Sequence, residues 1–558
     1  MNTPNRWRTP RRCLLGLGIL LTLICLFYTV ERWRGKRAWE QCKQSMLAQG
    51  APRHWADCIP APVPDDQNFF GVPQMQQWFT GHGSSDLSKK LSFPDPAKTN
   101  RLTIAELKIG LPGDLPPDGA VVFQLDDPAL RTNVFALLTN ILGPVFTVPQ
   151  GFALMLRRPE DIRAAQIFLQ CKTAPTLKEL QQSLPDHLLE TLSAPPDPLE
   201  LETTAPGLYR ATITAPATAS DFLAFCQSLA PDFDVIRKAM QRPRARIQGD
   251  YTAPYTVPMP NFVTERTFAQ TLGARAQCHL LLGQPEEALR DLSLLHDACR
   301  PILEENNPMT LVSAMINVAV RGLYADQIAD GLRLHAWSEP QLAALEDQLK
   351  QINLLLPVKQ GFKVESLFLW YELENRNPAQ LVKDDRKVSI LAALIPSGWT
   401  YQNIANLTTF ESKITSCLNV PDKIVFPGMV HTFYQEQAAL LSHWSPYSFM
   451  GFQEIANYTR AFKETAQNQT RVNQALIACA LERYRLAHGE YPEILAALAP
   501  QFIDKIPHDV IGGQPPHYRR TASNAFLLYS IGWTGKDNGG VPDNKNSANG
   551  DWLWPNQN

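Results

Sequence analysis

Catalytic signatures are missing from this chain of 558 residues. It has no His-Glu-x-x-His, Cys-x-x-Cys, Gly-x-Ser-x-Gly, phosphate-binding loop or post-strand Gly-x-Gly-x-x-Gly. Zinc, dithiol, serine-nucleophile and nucleotide chemistry therefore lack their usual local support. A set assembled from distant residues stays open, since catalytic groups need not be neighbours in sequence. An excess of one charge is also missing. With 52 basic against 54 acidic residues, no field draws the chain to nucleic acid or acidic substrates. Cysteine is sparse for the length, ten in all, which excludes a disulfide scaffold. Only Cys42 and Cys58 lie close together outside apolar surroundings; a bridge between them and two separate thiols are equally open. The eleven histidines are scattered. Neither His279 and His296 nor His431 and His443 bring a ligand spacing for zinc. His82 in Gly81–Asp86 neighbours two serines, within a stretch that reads as loop.

Proline is abundant, at 45 residues, above the usual ~5%. It favours short, interrupted elements. A chain of this length should also divide into several domains, because single cores rarely exceed roughly 250–300 residues.

The one long apolar run is Cys13–Val30, eighteen residues without a charge. As a helix it spans roughly 27 Å, enough for a hydrocarbon core. Trp7, Tyr28 and Trp33 flank it as interfacial aromatics do. The run continues straight into ERWRGKR without a small-residue cleavage site, so a retained anchor is expected rather than a signal peptide. Arg6, Arg8, Arg11 and Arg12 before it balance Arg32, Arg34, Lys36 and Arg37 after it. A short basic N-terminus before a first span favours an N-inside orientation. The expected location is the inner membrane, single-pass, with the lipid bilayer met through 13–30 and the bulk of the chain periplasmic.

The expected fold is mainly α with α+β parts, in six segments. A cytoplasmic N-terminus (1–12) precedes the transmembrane helix (13–30). Residues 31–102 read as a membrane-proximal helix and a Pro-rich tether, extended by Pro60, Pro62, Pro64 and Pro73. A mixed α+β domain follows (103–245). Its strand-like runs are LTIAELKIG, GAVVFQL and GLYRATITA, and its helix-like runs VFALLTNIL, PEDIRAAQIFLQ, TLKELQQSL and SDFLAFCQSL. Residues 254–465 read as a helical bundle. In it, Phe268, Leu272, Ala276 and Leu280 share one face, Gly283 ends that helix, and Pro285 opens the next with Ala288, Leu289, Leu292, Leu295 and Cys299 inward. This is one tetratricopeptide-like pair without a second copy. Ser338 and Gln341 form a capping box. Val388–Ile395 is apolar but too short to span.

The last segment, 466–558, is the most ordered in sequence. Val472–His488 is helical, Gly489 ends it, and Tyr491-Pro492 forbids continuation. A short Ile494–Leu498 helix follows, then Pro507-His508-Asp509. The strands HYRR and AFLLYSIG flank a turn at Ala522–Asn524, and a Gly/Asp-rich loop and GDWLW complete the chain. This order resembles the soluble domain of the type II secretion major pseudopilin. Gly489, Tyr491, Pro492, Pro507, Asp509, Gly512, Tyr518, Ser530, Gly532, Gly539, Gly540 and Asp551 match it. The chain departs from that family in lacking the prepilin cleavage motif, in placing its span more than 400 residues upstream of this helix, and in carrying Thr534 where a loop aspartate is usual. Those departures speak against filament assembly. What the resemblance implies is a calcium loop, with Asp537, Asp543 and Asp551 as carboxylate ligands and Asn538, Asn544 and Asn546 as amide oxygens. Composition alone equally marks a solvated loop. Phrases such as HAWSEPQLAAL and PSGWTYQN ahead of YRLAHGEYPE resemble membrane-anchored bacterial proteins of similar layout, implying location rather than activity.

These readings combine into a membrane-anchored extracytoplasmic binding or scaffold protein of the bacterial envelope, with an envelope protein as partner and no nucleic acid. One alternative is a hydrolase-like envelope enzyme with a site between the mixed and helical domains. Another is a calcium-stabilised component related to type II secretion.

Overall fold

The computed structural model describes residues 8–48, 55–92, 104–105, 121–124, 152–159, 164–171, 201–205, 208–214, 219–253, 256–303, 310–375, 395–443, 445–448, 457–541 and 550–555. It is mainly helical, with small antiparallel sheets. The chain falls into two units, Ser92–Phe225 on one hand and Met1–Leu91 with Cys226–Asn558 on the other. The expected mixed domain at 103–245 is thus cut short, because 226–245 groups with the helical residues.

The smaller unit carries a six-stranded sheet in which every pairing is antiparallel. Its strands are β1 (Ile104–Ala105), β2 (Val121–Gln124), β3 (Phe152–Pro159), β4 (Ala164–Cys171), β5 (Leu201–Ala205) and β6 (Leu208–Thr214). β4 corrects the sequence reading of 159–170 as helix. Eight residues with apolar positions on both faces suit either period, and pairing decides between them. Leu154 lies opposite Leu169 and Leu156 opposite Ile167 on β3, while β6 pairs with the other edge of β4. The runs 134–142 and 176–184 lie outside the described residues.

The larger unit begins with α1 (Arg8–Ala48), forty-one residues without a break. It is the one helix among the described residues long and apolar enough to cross a membrane. Its large apolar residues from Leu14 to Val30 are exposed. From Glu31 onward one side is buried, and Trp39 and Cys42 pack with Leu367, Ile404 and Ala405. Cys42 is a free thiol, its sulfur 3.5 Å from the Thr409 hydroxyl oxygen. A bridge to Cys58 is therefore not made.

The expected tether is a correction of a different kind. Asn68 at the end of a proline-rich turn, α2 (Pro73–Phe79) and α3 (Asp86–Leu91) are folded into the body. Phe69, Phe70, Met75, Trp78, Phe79, Leu87 and Leu91 are buried. The Phe69 amide donates to the Arg244 carbonyl at 2.7 Å, and the Asn261 amide to the Phe79 carbonyl at 2.8 Å. Proline sets the turns here, but so many large apolar groups cannot stay in water at about 1.5–3 kcal/mol each.

Helices α4 (Ala219–Gln227) and α5 (Ala230–Met240) precede the expected pair, α6 (Phe262–Leu281) and α7 (Pro285–Ala298). Asn261 caps α6 by accepting from the Thr264 amide, and Gly283 adopts φ 69° between the two helices. The inward positions are buried as expected, Leu289 being half-buried. Then come α8 (Leu311–Arg333), α9 (Glu339–Lys350), α10 (Leu355–Asn375), α11 (Ser397–Ser412), α12 (Pro427–Ser442) and α13 (Thr459–His488). Ser338 caps α9 with its amide donating to Gln341 Oε1 at 2.9 Å. The apolar run 388–394 lies outside the described residues.

α13 runs unbroken across the expected boundary at 465/466. Every residue from Val472 to Glu482 is buried. α8 and α9 cover part of it, and the C-terminal sheet covers more. That sheet is β9 (His517–Ala522), β10 (Ala525–Ser530) and β11 (Trp552–Trp554), with β10 central. The tail is also stitched to the body by the Val425 amide, which donates to the Val510 carbonyl at 2.9 Å. It shares a helix and a core with the bundle.

Candidate functional site: the C-terminal loop and the Glu482 cluster

The loop after β10 turns through Gly532, Gly535, Gly539 and Gly540, all at positive φ, a conformation open to glycine at little cost. Gly540 also has Leu527 and Tyr529 so near that a Cβ would overlap them. The folded loop turns Asp551 inward and leaves Asp537 at the surface. Asp551 is buried, and its carboxylate accepts from the Asn538 amide at 3.0 Å and the Gly540 amide at 2.8 Å. Asp537 accepts from the Gly539 amide at 2.8 Å and the Tyr529 hydroxyl at 3.1 Å. Its other oxygen lies 3.6 Å from His517 Nδ1. The Gly539 amide, first among these, holds the Asp537 carboxyl below its usual range.

A calcium ion needs six to eight oxygens converging on one point. Here N–H groups, the positive ends of peptide dipoles, already face the two carboxylates. Asp537 and Asp551 act as acceptors that shape the loop. Among the described residues no three His, Cys, Asp or Glu side chains converge. Asp543, Asn544 and Asn546 lie outside the described residues.

Asp509, in the Pro507-His508-Asp509 turn, is buried at the root of the same loop. It accepts from the Ile511 amide at 2.9 Å, the Ser530 hydroxyl at 2.7 Å and the Ile531 amide at 3.1 Å. One side chain thus joins the Pro507 turn to the end of β10.

A second polar cluster went unread in sequence. Glu482, near the end of α13, is buried with all its acceptor capacity in use. Arg485 grips it through Nε at 2.9 Å and Nη2 at 2.6 Å, the two-pronged geometry that suits a carboxylate. His335 Nδ1 lies 2.9 Å from it and the Tyr491 hydroxyl donates at 2.8 Å. Burial works against the charge, yet the bonds from Arg485, His335 and Tyr491 hold Glu482 below the usual range. His335 sits at φ 49°, closing α8 with its amide on the Leu332 carbonyl, while the Ala336 amide reaches the Gly331 carbonyl. Histidine is one of the few side chains found at positive φ with any frequency.

Beside it, Arg483 bonds Glu339 at 2.8 Å, Glu346 at 2.9 Å and the Phe502 carbonyl at 3.0 Å. Burial raises Glu346 to about 7 despite Arg483. Compared with family models, curated proteins and solved structures, the chain finds no match. The reading of the site therefore rests on geometry. A histidine and a carboxylate stand together here, but the Glu482 side chain spends its acceptors on Arg485 of its own helix, on His335 and on Tyr491. The cluster clamps the end of α8, the end of α13 and the Tyr491-Pro492 turn. No signal of spacing brings His335 into it, because His335 lies 147 residues from Glu482.

Proposed function

We propose that the chain is a single-span, membrane-anchored scaffold of the bacterial envelope, with its N-terminus cytoplasmic and its body periplasmic, acting by binding an envelope partner. The observation that supports this reading is the unbroken α1. The apolar run passes without a hinge into a helix buried against α11, so the body is fixed relative to the anchor. Gly35 and Gly398 let the two backbones touch: a Cβ on either would overlap the other helix. A rigid stand on the bilayer suits a docking platform more than a diffusing enzyme domain. The buried clamps at Glu482 and Asp509 act in the same direction, since they stiffen the joint between bundle and tail.

The pseudopilin-like reading of 466–558 draws support from a long helix ending at Gly489 and lying on a three-stranded antiparallel meander. The calcium-stabilised alternative draws none from Asp537 and Asp551 as arranged.

Two measurements test the proposal. Protease added to spheroplasts should digest the body while leaving a membrane-embedded N-terminal fragment. Gentle detergent extraction of the tagged chain should then yield a stoichiometric complex with an envelope protein. Recovery of monomer alone, with the body digested as expected, sinks the scaffold reading.

A further inference from the structure

The end of the apolar run is not bare. Phe27 meets Trp399 edge-on, with ring centroids 6.2 Å apart, and Trp399 meets Tyr447 at 6.4 Å. The Arg34 guanidinium stands 5.7 Å from the Tyr447 ring centroid. Gln402 Nε2 lies 3.4 Å from Glu31, the first charged residue after the run. Part of the body therefore stands at the depth where the last turn of the span leaves hydrocarbon. Trp and Tyr are the residues that favour that depth.

A second observation lies on α12. After Glu436 and the buried Gln437, six consecutive residues, Ala438–His443, are exposed and carry no fixed charge. Leu440 and Leu441 are 40% and 45% exposed. Two residues separate His443, which follows the last residue of α12, from Pro446, so His443 lies within about 11 Å of Pro446. The Pro446 carbonyl in turn accepts from Asn403 Nδ2 at 2.8 Å, and the same nitrogen donates to the Trp399 carbonyl at 2.7 Å. The apolar helix end is thus joined by a short connection to the residues around Trp399. Arg32, Lys36 and Arg37 are exposed just beyond the run.

We infer that this face, Trp399 and Tyr447 with Leu440–Leu441, rests in the headgroup boundary of the bilayer that holds α1, and that it takes anionic phospholipid. The inference deepens the anchor reading proposed above and rests on it. What carries it is continuity: the face joins the span directly, and the span fixes which surface it meets. An exposed apolar helix end beside cations is the chemistry of an interfacial contact.

The test uses the full chain in vesicles of phosphatidylethanolamine and phosphatidylglycerol doped with a diazirine-bearing phospholipid, with adducts mapped by mass spectrometry. Adducts are expected in 14–30 and also at Trp399, Leu440–Leu441 or Tyr447. Adducts in 14–30 alone overturn the docked face and leave the anchor standing. Adducts in neither overturn both. Cross-links between copies at Leu440–Leu441 in place of lipid adducts assign the face to a second copy and overturn the inference. Replacing phosphatidylglycerol with phosphatidylcholine should lower adducts at the face about fivefold without changing those in 14–30. Leu441→Glu should do the same; equal labelling of the variant and the parent counts against the inference.

Discussion

Asp509 is the single side chain whose loss should cost the tail most. Asp509→Ala removes the acceptor of three donors, two of them main-chain amides. Leaving them unpaired in the interior should cost about 2–4 kcal/mol, read as a lower denaturation midpoint. An unchanged midpoint would mean that water reaches the turn. Glu346 makes a pH prediction. Its folded carboxyl keeps a proton up to about pH 7 against an ordinary value of 4.5. Folding therefore takes up a proton between those limits, and stability should fall as pH rises through that window. Glu346→Gln should flatten that part of the profile in melts from pH 4.5 to 7.5, and a slope identical to the parent would refute the assignment. Sequence exposed little at this scale. Gly283, Gly489 and Ser338 were legible because caps act on near neighbours. Glu482, Arg483, Glu346 and His335 were not, because their partners come from helices far apart in the chain.

Among elements, the crossing of α1 and α11 is the contact most sensitive to size. Gly398→Val or Gly35→Val must push the helices apart, and overpacking of this kind costs about 1–3 kcal/mol. Gly16→Ala and Gly18→Ala meet nothing within 4 Å and should leave the melting temperature unchanged. Melting of the four detergent-solubilised variants decides it, and equal melting of all four would mean that the crossing is not held. The folding of 55–92 has its own test. Phe79 is buried between Phe69 and Phe268, with centroids at 6.0 Å and 5.8 Å. Phe79→Ala should cost about 3–5 kcal/mol in chemical denaturation, whereas a tether would tolerate it. Sequence misread this segment because proline marks both extended linkers and the turns between short packed helices. It misread β4 for a related reason: eight apolar-rich residues satisfy either period until a neighbour supplies hydrogen bonds.

For the whole molecule, α1 joins the apolar run to the helical body in one unbroken helix. The chain should stay with the bilayer through alkaline carbonate extraction and float with vesicles, and release by carbonate would overturn the anchor. α13 has the corresponding role at the other end. It serves as a core helix of the bundle and as the platform of the C-terminal sheet. A cut at 465/466 would strip one side of a helix whose middle is buried all round. Sheet and bundle should accordingly melt together in calorimetry, and two resolved transitions would separate them.

Several properties followed from the sequence alone: the single apolar run, the mainly helical class, the α6–α7 hairpin, the caps, and the strands and turn of the tail. Each depends on residues close enough in the chain to act on one another through periodicity or backbone geometry. The tertiary structure alone decided that 55–92 packs its large apolar side chains into the body, that 164–171 is strand, and that α13 crosses the expected domain boundary. It also decided that Asp537 and Asp551 face amides. Those outcomes depend on which distant surface or donor each segment meets, and the order of residues along the chain does not specify that meeting.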